Sequence, residues 1–413
     1  MSFAEPRPDL AAALPAFAAL AGERRWASRL SELARRTRPP PGRGGTWRGR
    51  AAQRRHALEL ALARLVEDPR ALDRAGRGER RLLAIAADAV RLAETLPARG
   101  RARLRERLAA GLEGEQTLVP LFHLLRSAAL YRARGFTVEF PGLAEDAPFD
   151  LLIRRGGAEA AVACETFSAE EGRSLHRGDW YALVDRVHPE LQTWLAAHPG
   201  RYVLKMTLPE GLGGPDRLAE LHRRISQLLA TPTRQDSSAD AVLKLDPLVL
   251  AGAQAAGQGR LLPERLRAQF GPEAHLAVTA DPSGGSVFVI AARAGREDTI
   301  AEAFGRRLAA AAEARLGAAA DGRAGILAVF VEDVDRTEWR ALRESLELEG
   351  AARRFLTTAA ARPVVAVTCC SRMELLGLEA PDAVPEGELR FRNPAHPAAR
   401  QPGALAPAIE PAP

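Results

Sequence analysis

Residues 149–167 read FDLLIRRGGAEAAVACETF. Two β-patterned runs flank Gly156-Gly157, and a Gly-Gly pair between such runs is a two-residue hairpin turn. In that register Arg155 opposes Ala158 and Asp150 opposes Ala163. Opposed residues, and residues two apart on one strand, point to the same side of a sheet. Glu165 lies two past Ala163, so Asp150 and Glu165 share a face as diagonal neighbours, about 7–8 Å apart at the backbone. Two carboxylates that close repel, and they call for a proton or a cation between them. A slip of one residue would turn Glu165 to the opposite face.

Working outward, the segment before the hairpin is helical. Leu118, Leu121, Leu124, Leu125, Ala128 and Leu130 recur at the helix period, and Gly135 is placed to stop the helix. Strands are predicted at 136–140, 149–154, 159–165, 202–208, 241–250, 275–280, 286–292, 326–332 and 364–369, with a turn at 281–286. Helices are predicted between them at 179–197, 214–230, 297–317 and 337–357, with Asp179 as a cap for the first. Helices alternating with strands indicate an α/β body.

The helix, the strand TVEF, and a hairpin carrying Asp150 in APFD and Glu165 in VACETF resemble the restriction-endonuclease-like, or PD-(D/E)XK, superfamily. The likeness covers about residues 117–210, including the helix DWYALVDRV and the strand RYVLKMTLP that follow. It implies a mixed sheet flanked by helices and metal-dependent hydrolysis of nucleic-acid phosphodiesters. It also implies Mg²⁺ or Mn²⁺ held by Asp150 and Glu165, with Glu139 as a further ligand. The family's lysine, two residues after the second acid, is replaced here by Phe167. Lys205, in the next predicted strand, is the candidate substitute and would orient a water. Without such a lysine, the resemblance implies a catalytically inactive module that binds nucleic acid or protein.

Composition sets the frame. The chain has 413 residues and a net charge of +6, and of its 58 basic residues only Lys205 and Lys244 are lysine. Residues 1–118 hold 24 Arg and 14 acids, so the positive charge belongs to the N-terminal part. A basic region beside a neutral body suits a polyanion, so DNA or RNA is the expected partner. The division expected is a basic helical domain over 1–116 with a flexible loop at 36–55, an α/β domain over 117–392, and a disordered Pro/Ala-rich tail over 393–413. Trp47 in that loop is a candidate for stacking on a base. Three cysteines without a CxxC argue against a disulfide framework and a zinc knuckle. The poor signal-peptide character of the N-terminus and the lack of a long apolar run point to a cytoplasmic protein away from membranes. No P-loop, GxGxxG, HExxH or GxSxG pattern occurs. The acids of FVEDVDRTEW, residues 330–339, form a second candidate cluster, with Asp335 or Thr337 as an alternative helix cap.

Overall fold

The computed structural model describes residues 10–38, 46–67, 73–249, 266, 269–271, 274–280, 285–296, 298–317, 322–376, 388–400 and 403–410. The chain forms two compact units. The first comprises residues 1–36, 52–171 and 301–413; the second comprises 37–51 and 172–300. Eleven strands are present among the described residues: β1 (Thr137–Glu139), β2 (Leu151–Arg155), β3 (Ala158–Ser168), β4 (Arg201–Leu208), β5 (Gln235–Ser237), β6 (Val242–Pro247), β7 (His275–Ala280), β8 (Val287–Ala294), β9 (Ala324–Glu332), β10 (Val364–Ser371) and β11 (Leu389–Arg392).

The first unit is built on a mixed sheet in the order β1-β2-β3-β9-β10-β11. Its hairpin has the expected register, with Leu151 opposite Val162 and Arg155 opposite Ala158. Gly156 and Gly157 both have positive φ, 53° and 79°, as a two-residue turn of the I′ kind requires. β3, β9 and β10 run parallel to one another at the centre. β10 is buried along its whole length and β9 up to Glu332, which explains their near-continuous apolar sequence.

Leu151, Ile153, Val162, Ile326 and Phe330 on one face join a single buried cluster with Phe17, Leu62, Leu83 and Phe122. The N-terminal helices are therefore a covering layer of the first unit, not the separate domain expected over 1–116. The helix Val119–Ala133 lies in this layer, and Gly135 (φ 83°) ends it with its N–H on the Arg132 carbonyl. On the opposite face Phe167 of β3 packs edge-to-face on Phe304 of the helix Ile300–Leu316.

The second unit has its own sheet, β5-β6-β4-β8-β7. The helices Arg177–Ala197 and Pro215–Ala230 cover one face, with Trp180, Leu191, Ile225, Leu204 and Phe288 in a shared core. The helix and strand expected to complete the hairpin's sheet thus belong here. The helix Ile300–Leu316 and β9 take that place instead, because the second unit is inserted between β3 and that helix.

Three further expectations are corrected. The stretch 36–55 is not a loop where it is described: Trp47–Arg55 is a helix. Its first N–H groups, at Trp47 and Arg48, donate to the Asp185 carboxylate at 2.6 and 3.0 Å. Trp47 stacks on Tyr181 with Arg50 over its ring, so it is packed within its unit. Asp179 is not a cap, since the helix starts at Arg177; it lies in the first turn, where an acid suits the helix dipole. The tail is folded over 393–400 and 403–410, because Ala399, Leu405, Ala408 and Ile409 are buried in the main cluster. Among the described residues no helix is long and apolar enough to cross a membrane.

Candidate functional site

Asp150 immediately precedes β2, and its N–H donates to the Val162 carbonyl at 2.9 Å, extending the hairpin ladder. It is only 2% exposed. Its carboxylate accepts from the Cys164 N–H at 2.8 Å, from Arg107 at 2.9 Å and from Arg315 at 2.5 Å. Glu165, three residues before the end of β3, accepts from Arg315 at 2.6 Å and from Arg307 at 3.2 Å. The two acids therefore do meet on one face, and a single guanidinium lies between them.

Arg315 sits in the last turn of the helix Ile300–Leu316, which lies over this face of the sheet. Its Nε donates to the Pro148 carbonyl at 2.8 Å and an Nη to the Cys164 carbonyl at 2.9 Å. The planar fork thus meets two carboxylates and two carbonyls at once, a task a lysine could not perform. Burial opposes the Arg315 charge, but Asp150 and Glu165 outweigh it and hold the guanidinium pKa above its ordinary value. Beside the cluster is a cavity of about 400 Å³ lined by Arg107, Gln116, Thr117, Asp150, Cys164 and Arg315.

The other candidates lie elsewhere. Phe167 is fully buried against Phe304. Glu139, at the sheet edge, pairs with Arg154. Lys205 belongs to the second unit, directly opposite Lys244 across β4 and β6, and binds Asp246 at 3.0 Å. Among the described residues no group of three or more His, Cys, Asp or Glu side chains is arranged to hold a metal ion. Of the residues expected to hold Mg²⁺ or Mn²⁺, Asp150 and Glu165 share the Arg315 guanidinium and Glu139 pairs with Arg154. Cys164, Cys369 and Cys370 are free thiols, and burial holds each above its ordinary pKa, Cys370 at about 12. They are poor nucleophiles.

The acids of 330–339 divide by role. Asp335 caps the helix Arg336–Glu344, accepting from the Glu338 N–H at 3.0 Å. Asp333, at φ 58°, takes both oxygens to one Arg55 nitrogen at 2.7 and 2.9 Å and accepts from Ser168 at 2.6 Å. Glu332 accepts from Thr117 at 3.0 Å. Sequence reasoning misses Arg55, Ser168 and Thr117 here, because nothing local ties them to Glu332 and Asp333. Burial first, then the Asp333 charge, raises the Glu332 pKa from 4.5 to about 7. The folded state therefore holds this proton more tightly than the unfolded chain. Stability falls as pH rises from about 4.5 to 7, and remains lower above 7. Glu332→Gln should remove that fall; unfolding followed at pH 5 and pH 8 is the check, with a clearly larger gain at pH 8 than at pH 5.

No known protein family, curated protein or solved structure is found to match this chain.

Proposed function

We propose that this protein is a nuclease-like module that binds nucleic acid without hydrolysing it. The observation that carries this reading is the Arg315 guanidinium, 2.5 Å from Asp150 and 2.6 Å from Glu165. The succession of a helix (Val119–Ala133), β1, the β2–β3 hairpin, a helix (Ile300–Leu316) and β9 parallel to β3 resembles the PD-(D/E)XK pattern. The fold alone does not bring the activity with it. An acid pair whose cation is built into the chain is an ion-pair cluster that fastens a helix to the sheet. The basic helix Ala98–Gly111 supports nucleic acid as the partner. It carries five arginines and one acid, and Arg99, Arg101 and Arg105 are exposed. Positive residues of this kind hold phosphates without reading sequence.

A second reading, hydrolysis with Mg²⁺ or Mn²⁺ at Asp150 and Glu165, draws on their common face beside the 400 Å³ cavity. One experiment separates the two. Duplex and single-stranded DNA and RNA are incubated with the protein and either ion, with binding and cleavage followed together. Salt-dependent binding with intact nucleic acid is expected. Arg99→Gln/Arg101→Gln/Arg105→Gln should lower the log–log salt slope by roughly 0.9 for each phosphate contact removed. Cleavage that disappears in Asp150→Asn would establish the second reading in place of the first. No binding by the wild type would remove nucleic acid as the partner.

A further inference from the structure

In the first unit, a cleft of about 740 Å³ opens between the end of the helix Glu347–Leu356 and the turn that follows β11. Its lining includes Arg353, Arg362, Arg392 and His396, and among the described residues no Asp or Glu. The three arginines come from three places: the helix, the segment after the short turn Ala359–Ala361, and β11. Arginines near a helix C-terminus often serve its unpaired carbonyls. Here two of those carbonyls, Arg354 and Phe355, are already served. Thr357 and Thr358 each donate a backbone N–H and a hydroxyl to the Arg354 and Phe355 carbonyls, at 2.7–3.2 Å.

Arg353 and Arg392 each have an acid outside the cleft, Glu349 at 2.7 Å and Glu410 at 3.4 Å. Arg362 is exposed, and its guanidinium has no partner among the described residues. Asn393 braces the floor. Its side-chain nitrogen donates to the Val364 carbonyl at 2.8 Å and its oxygen accepts from the Ala395 N–H at 3.1 Å. His396 accepts from the Ala398 N–H at Nδ1, so its proton sits on Nε2 as a further donor. Leu356 and Pro394 supply apolar wall. A cleft of this size, with apolar wall and cationic side chains in its lining, has the make-up of a small-molecule site.

We infer that this cleft is a binding site for an organic phosphate, its phosphoryl group held by Arg362 and Arg392 and its body laid on the apolar wall. The inference is independent of the acid pair and of nucleic-acid binding.

Calorimetric titration of the full-length chain with inorganic phosphate, adenosine monophosphate and adenosine tests it. Adenosine monophosphate should bind more tightly than phosphate, and adenosine should not bind. Arg362→Gln and Arg392→Gln, both at solvent-accessible positions, should each weaken adenosine monophosphate by roughly tenfold or more with an unchanged Tm. Absence of binding by both anions, equal binding of adenosine, or affinity unchanged in both variants would overturn the site. Adenosine monophosphate binding no tighter than phosphate would overturn the organic-phosphate assignment.

Discussion

Replacing Arg315 with methionine is expected to destabilise the protein by about 3 kcal/mol, measured by chemical unfolding. Methionine keeps much of the apolar stem but removes every donor. Asp150, almost fully buried, would then depend on Arg107 and the Cys164 N–H, and Glu165 on Arg307 alone. Breaking a buried pair by deleting one partner typically costs about 3–5 kcal/mol. The lower end applies because each acid keeps a second cation. Arg315→Lys should recover only part of the loss, since an ammonium cannot reach two carboxylates and two carbonyls in one plane. The double variant Asp150→Asn/Arg315→Met should lose less than the sum of the single losses, the sign of direct coupling. A loss within about 0.5 kcal/mol for Arg315→Met, the range of an ordinary surface change, would mean that the bridge is incidental.

Phe167→Lys, which would rebuild the acid-x-lysine triplet of the resembled family, is expected to wreck the fold and restore nothing. The side chain is fully buried and packs edge-to-face on Phe304 at 5.7 Å between ring centroids. Removing a buried phenylalanine alone costs about 3–5 kcal/mol, and placing an ammonium in the same apolar contact adds a desolvation cost. A total loss above about 4 kcal/mol would leave most domains marginal. Soluble yield and the unfolding midpoint are the readouts, with Phe167→Leu as the control at about 1 kcal/mol. A stable Phe167→Lys protein with new metal-dependent cleavage would show that the position faces a working site.

Much of the first unit was legible because local rules decide it. Gly156-Gly157 admits the turn that sets the hairpin register, and that register puts Asp150 and Glu165 on one side. The apolar runs of β9 and β10 announce central strands. What was not legible depends on contacts distant in sequence. Arg315 lies 150 residues from Glu165, in a chain with 56 arginines, so no charge pattern singles it out. The insertion of the second unit is equally silent, since β3 and β9 meet only after the whole of it has intervened. The short strands β5 and β11 were missed because QDS and LRFR carry little apolar alternation. Leu346, at φ 59°, splits the helix expected over 337–357, and a leucine gives no warning of a left-handed residue.

The most direct test of the central claim is a Mn²⁺ titration of wild type, Asp150→Asn and Arg315→Met, read by the loss of the free-ion electron paramagnetic resonance signal. If Arg315 is the cation of the acid pair, wild type and Asp150→Asn take up Mn²⁺ identically, and only Arg315→Met gains a site. One Mn²⁺ bound by wild type and lost in Asp150→Asn would contradict the account, because the pair would then hold a metal ion with the arginine in place.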